Sequence, residues 1–210
     1  MSFGVPGGTE SGDFGIKKGV VKIMIDLISL EKQFLSAHTK KGGVAVDFTM
    51  GNGHDTAWLS KAVGEKGRVY AFDIQESALA STRITLEREG CPDNCTLICD
   101  SHSNVLKYVK EPICAGVFNL GYLPGGGNKA LTTLRPTTKL AVEGGISLLD
   151  RDAVILIAVY PGHEEGRLEG DMLSTMLASL DRRQYCVSRF QIVNSPSSPF
   201  FFVIESKGDR

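Results

Sequence analysis

The sequence predicts an α/β chain built on a doubly wound, mostly parallel sheet, and three observations carry that expectation. Apolar runs of strand length alternate with stretches of helical period from Val44 onward. The runs are continuously apolar rather than alternating, as in strands covered on both faces. The last two runs, Tyr185 to Val193 and Phe200 to Glu205, have only a Ser/Pro-rich connection between them. With no helix to carry a crossover, they should pair antiparallel and close the sheet as a hairpin.

The first unit is the most informative. Val44-Ala45-Val46 leads into Asp47, then a turn through Gly51-Asn52-Gly53, then a helix with Ala57, Trp58, Leu59, Ala62 and Val63 at helical spacing. Glycine lets the backbone reach φ > 0 and lets a ligand lie on the main chain, and the next helix points its positive end there. A strand-to-helix turn without a ligand has the same residue pattern. The second strand, Arg68 to Phe72, ends in Asp73-Ile74-Gln75, where an acid can accept both hydroxyls of a ribose. Together, the two strand ends favour a nucleoside-binding site.

A helix from Glu76 to Glu89 follows, stopped by Gly90 and Pro92. Strand three, Thr96 to Cys99, ends in Asp100-Ser101-His102, where Asp100 either meets an adenine edge or caps the next helix. Strand four, Ile113 to Phe118, delivers Asn119-Leu120-Gly121-Tyr122 at the point where strand order should reverse. A carbamoyl oxygen there can accept from an amine and aim its lone pair, or the Asn can simply make a turn. Arg135-Pro136 opens a helix to about Leu149. Strand five, Ala153 to Val159, ends at Tyr160-Pro161-Gly162-His163, and a helix from Leu168 to Leu180 follows. His163 is either a substrate contact or proton acceptor, or part of that helix start.

Before the first strand, residues 1–15 are glycine-rich and read as a disordered lead, with one domain from 16 to 210. Apolar positions between Ile16 and Ala37 follow a helical period, predicting a helix across the sheet edge near the ligand mouth. Lys17, Lys18 and Lys22 at its start form a solvated face or meet a phosphate. The net charge of −1 provides no overall basic field for nonspecific nucleic-acid binding. The five cysteines are odd in number and mostly lie near strands, so they are expected as small buried hydrophobes, with no metal site. No apolar run of membrane-spanning length occurs, and the chain reads as intracellular and cytoplasmic, an organelle matrix being compatible.

The pattern Asp47-x-x-x-Gly51-x-Gly53 resembles motif I of the S-adenosylmethionine-dependent methyltransferases. Asn119-Leu120-Gly121-Tyr122 is similar to the Asn-Pro-Pro-Tyr motif of amino-group methyltransferases, with Leu-Gly replacing the prolines. With Phe72-Asp73-Ile74-Gln75, Asp100-x-His102-x-Asn104, Arg135-Pro136-Thr137-Thr138 and Gly162-His163, the set resembles the YtqB-like rRNA methylase family, the MnmM-type tRNA methyltransferases. The resemblance covers Lys41 to Glu205. It implies a Rossmann-like class I fold with a seven-stranded sheet and antiparallel closing hairpin. The implied activity is methyl transfer from S-adenosylmethionine to 5-aminomethyl-2-thiouridine at tRNA position 34, with the anticodon stem-loop as partner.

Carried over by position, the resemblance assigns the cofactor to Asn52, His54, Asp73, Gln75, Ser101 and His102, and Asp55, Ile74, Asp100 and Asn119 complete the expected cofactor set. Asp47, Gly51, Gly53 and Thr56 would shape its loop; Asn119, Tyr122 and His163 would serve the acceptor. A homodimer is compatible with the sequence. The chain departs from the family pattern at Ser101, where Gly is common, at Ser198-Pro199 for Pro-Pro, and near Lys32 for a His. Methyl transfer to rRNA or a small molecule, and a nucleoside-binding module without catalysis, are the alternatives.

Overall fold

A computed structural model describes residues 27–121 and 133–208. The glycine-rich lead, the basic start of the first helix and Tyr122 lie outside the described residues. Within them, the parallel strands are β1 (Val44–Asp47), β2 (Arg68–Asp73), β3 (Cys95–Cys99), β4 (Ile113–Asn119) and β5 (Leu149–Val159). The closing pair is β6 (Tyr185–Phe190) and β7 (Phe200–Ser206). One seven-stranded sheet results, in the order β3-β2-β1-β4-β5-β7-β6. β7 pairs antiparallel with both β5 and β6, which is the expected hairpin.

The central strands β1, β2 and β4 are largely apolar because each side is covered. Val46, Phe48, Tyr70, Phe72, Ile155 and Ile157 face one core. There they meet Val142 and Ile146 of α5 (Arg135–Ser147) and Leu173 and Leu177 of α6 (Glu164–Ala178). Their neighbours Ala45, Val69, Ala115, Val154 and Leu156 face the other core. That side holds Leu35 of α1 (Leu27–His38) and Leu59 and Val63 of α2 (His54–Val63). The period-two split between the faces follows from the pleat.

Several boundaries differ from expectation. The first helix lies across β4, β5 and β7, over a sheet face rather than an edge. It buries Leu35 there, and His38 Nε2 lies 3.1 Å from the acceptor Glu205 Oε1. β5 begins at Leu149, not Ala153, because Leu149 pairs with Ile113 across a register shift in β4. Its polar segment is held by side chains, Ser206 Oγ donating to Asp150 O and Lys40 Nζ to Arg151 O, with Asp152 at φ 55°. Val193 is 93% exposed and β6 stops at Phe190. The cysteine expectation is corrected: Cys114 is buried, but Cys99 and Cys186 are exposed. β3 and β6 are the two edges of the sheet, where one flank lacks a neighbouring strand.

The sheet order reverses between β1 and β4, so their carboxyl ends diverge around a gap. The loop after β1 fills one side of it. Met50 N–H donates to Phe72 O at 2.9 Å, and Gly53 N–H donates back to Met50 O at 2.7 Å. Gly53 sits at φ 81°, and a Cβ there would stand 2.8 Å from the Thr82 Cα of α3 (Glu76–Arg88). Gly53→Ala is therefore expected to cost about 1–3 kcal/mol, because both its φ and its neighbour's backbone resist a side chain. Urea unfolding measures this; an unchanged midpoint would mean the turn relaxes freely.

Candidate functional site

The strand ends enclose a cleft of about 940 Å³. Its wall includes Gly51, Asn52, His54 and Asp55 after β1, and Asp73, Ile74 and Gln75 after β2. Asp100, Ser101 and His102 line it after β3, Asn119 after β4, and His163 after β5. Twelve separately chosen positions thus meet in one space. Asp47, Gly53 and Thr56 stand behind that wall and shape the loop.

Asp47 has no exposed surface. Its carboxylate accepts from Thr49 N–H at 3.1 Å and from the Thr56 hydroxyl at 2.7 Å. Burial, and then the neighbouring Asp55 charge, push its pKa up to about 7. Asp73 holds the same loop from the next strand. It accepts from Gly51 N–H at 3.2 Å and from Gln75 N–H at 3.0 Å, and burial raises its pKa.

At β3 the two readings of Asp100 separate. Ser101 caps the short 3-10 turn His102–Asn104 by accepting from Ser103 N–H. Asp100 instead accepts from Asn104 Nδ2 and the Tyr108 hydroxyl, both at 2.9 Å. These bonds hold its pKa below the usual range. His102 is buried, with Nδ1 at 3.1 Å from Phe48 O. A carbonyl accepts only, so Nδ1 carries the proton and Nε2 is a bare acceptor. Among the described residues Nε2 has no partner. Burial lowers its pKa, which keeps that acceptor unprotonated.

Asn119 is fixed at several atoms. Its backbone N–H donates to Thr49 Oγ1 at 2.7 Å and its Nδ2 to Asp55 Oδ2 at 2.6 Å. Its Oδ1 lies 3.5 Å from the Tyr160 hydroxyl, the limit of a hydrogen bond. Asp55 Oδ1 accepts from Lys32 Nζ, which also lies 5.0 Å above the Trp58 ring. Tyr160 keeps its proton because burial, with the Glu31 and Asp55 charges, raises its pKa.

His163 takes the helix-start role that the sequence left open. Its Nδ1 accepts from Gly166 N–H at 3.0 Å, so α6 begins at Glu164 rather than Leu168. The ring proton then sits on Nε2, which is a donor with no partner among the described residues.

Sequence reasoning missed Thr49, Lys32, Tyr160, Thr133 and Glu169. Glu169 is 2% exposed and accepts from Thr138 Oγ1 at 2.5 Å and Thr133 Oγ1 at 2.9 Å. Thr133 Oγ1 accepts from Gly121 N–H at 3.1 Å, and Thr133 N–H donates to Gly121 O at 3.2 Å. The two ends of the loop after β4 are thereby tied together. A mid-helix glutamate in a turn-poor run was the only signal available.

The family described as "Putative rRNA methylase" matches residues 69–205. An Arabidopsis thaliana protein named tRNA (mnm(5)s(2)U34)-methyltransferase, chloroplastic, is 35% identical over 76% of this chain. That match spans 62% of the Arabidopsis protein, less than two thirds of its length. A Clostridium thermocellum structure of rRNA-methylase description is 35% identical, with a TM-score of 0.83 over 87% of this chain and 98% of its own. A Streptococcus mutans structure solved in complex with SAH is 38% identical, with a TM-score of 0.78 over 88% and 99% of the two chains.

The raised pKa of Asp47 makes loop stability pH-dependent. The folded state holds this proton more tightly than the unfolded chain, so the contribution is whole below pH about 4 and lost as pH rises through about 7. Asp47→Asn keeps an acceptor for Thr49 N–H and a partner for Thr56 but cannot ionise. Urea unfolding from pH 4 to 8 should show a shallower decline for Asp47→Asn than for wild type. Equal slopes would place the ionisation elsewhere.

Proposed function

Because the chain belongs to the rRNA methylase family, we propose that it is an S-adenosylmethionine-dependent N-methyltransferase acting on the aminomethyl group of a wobble uridine in tRNA. The observation that carries this reading is the amide of Asn119, held with its NH₂ on Asp55 and its oxygen turned away, at the switch point of the cleft. The name of the Arabidopsis relative supports the tRNA wobble acceptor, and the SAH complex of the Streptococcus relative supports the cofactor.

The residues present fit that cofactor. Asp73, anchored by the loop amides on one side, offers a charged acceptor for ribose hydroxyls. The orphaned Nε2 of His102 suits a hydrogen-bond donor such as an adenine amine, and Ile74, 58% exposed, offers an apolar surface to a flat ring. Gly51 at φ 51° keeps the loop backbone close to whatever lies on it. When bound, S-adenosylmethionine supplies a sulfonium methyl that an amine lone pair takes, the C–S electrons remaining on sulfur.

The protein's part is placement and exclusion of water. Asn119 Oδ1 accepts one amine N–H and so orients the lone pair, while the Tyr160 hydroxyl limits how that oxygen moves. His163 donates from Nε2 and contacts the acceptor rather than taking its proton, since its Nδ1 is already bonded to Gly166 N–H. The acceptor's surplus proton leaves to solvent.

Nucleoside mass analysis after incubation with S-adenosylmethionine and tRNA bearing 5-aminomethyl-2-thiouridine tests the activity. Formation of the methylaminomethyl product is expected. Methylation of rRNA fragments without it would move the reading to the rRNA acceptor. Separately, Asp73→Asn should weaken cofactor binding by about 1.5–3 kcal/mol, the worth of a charged hydrogen bond, or on the order of 10- to 100-fold in Kd. Unaltered affinity by calorimetry would remove Asp73 from the ribose site.

A further inference from the structure

We infer that Asp55 and Lys32 act together as a polarity lock on Asn119, making both of them positioning residues for an amine acceptor. The inference rests on the methyltransferase reading and deepens it at the Asp55 contact that holds Asn119. An amide side chain has two nearly isosteric ends, and only its partners decide which end faces where. The Asp55 carboxylate accepts only, so it captures the Asn119 NH₂ at 2.6 Å and forces the amide oxygen outward. The Tyr160 hydroxyl, a donor, lies on the oxygen side and agrees with that orientation.

Lys32 supplies the second half of the lock. Its ammonium takes the other oxygen of Asp55 while lying over Trp58, and the ion pair is about three-quarters shielded from solvent. The lysine comes from α1 and the asparagine from β4, so Asp55 joins two elements far apart in sequence. With a carboxylate at 55, both neighbours are donors and both are satisfied. With a neutral amide at 55, they conflict. The new side chain would turn its oxygen to the lysine and its NH₂ to Asn119. Asn119 would then turn over and present NH₂ to the cleft, where it would donate to the amine lone pair and withdraw the nucleophile.

That conflict gives a test with a rescue. Asp55→Asn should slow single-turnover methyl transfer on the order of 10²-fold, the scale of losing a positioned polar group. Adding Lys32→Met to Asp55→Asn removes the demand on the new amide, lets its oxygen face Asn119, and should regain about tenfold or more of that loss. A purely structural role predicts the opposite, since the double variant removes more of the native contacts. A second readout needs no turnover. In ¹⁵N–¹H spectra of the protein alone, the Asn119 side-chain proton bonded to the carboxylate should lie downfield. It should move upfield in Asp55→Asn and return part of the way in the double variant.

A double variant as slow as Asp55→Asn, or an Asn119 resonance indifferent to Asp55→Asn, overturns the lock. Loss of cofactor binding in both variants, by calorimetry, would assign Asp55 to the cofactor and overturn it as well. If wild-type protein methylates no amine acceptor, the functional reading fails, and the spectra still decide the orientation of Asn119.

Discussion

The site depends on how Thr49 joins two strands that the sheet has separated. Where strand order reverses, β1 and β4 end side by side and their next residues part in opposite directions. Their polar backbone groups would face a gap. Thr49 closes it by donating its N–H to buried Asp47 and accepting the Asn119 N–H on its hydroxyl. The β1 loop and the first residue past the β4 core thus share one hinge point. Everything in the cleft that must keep a fixed distance from Asn119, including the glycine turn that runs on to Gly53, inherits its position from that junction.

The cost of the arrangement is buried negative charge. Burial raises the proton affinity of Asp47, and the nearby charge of Asp55 raises it further. Hydrogen bonds from Thr56 and Thr49 offset part of this, and the Lys32 charge adds a smaller offset. A loop this short cannot hold two carboxylates by backbone amides alone, so it borrows a cation from α1. Packed through Leu35 on the sheet face over β4 and β5, α1 stands close enough for Lys32 to reach Asp55.

Much of this was legible in the sequence, and the division between legible and hidden is physical. Strands buried on both faces leave continuous apolar runs, and ligand sites of such sheets gather at the strand ends, so Asp73, Asp100 and Asn119 could be chosen one strand at a time. What stayed hidden depends on partners distant in the chain. Asp55 was visible, but its bond to Lys32, contributed by α1, has no local signature. Glu169 reads as one more surface acid of an amphipathic helix until Thr133 and Thr138 are seen beside it. The cysteines misled because edge strands carry the same residues as central ones. The start of α6 misled because histidine is an uncommon cap, and only the Nδ1 contact to Gly166 reveals it.

Under the proposed reading, an amide at 119 suits the proton chemistry of the acceptor. An alkylamine acceptor must lose a proton before it has a lone pair to give. A carboxylate touching it would stabilise the ammonium form and raise its pKa, holding the acceptor in the unreactive state. An amide oxygen orients the same nitrogen without a full charge. Asp55 stands one hydrogen bond further back, and its charge is met by Lys32 on the side away from Asn119. The lock therefore delivers the direction of a carboxylate's hydrogen bond through Asn119 while leaving most of its field behind. This would favour a neutral amine in a cleft whose other acids, Asp73 and Asp100, sit at the ends of β2 and β3, with β1 between them and the end of β4 where the proposed acceptor would lie.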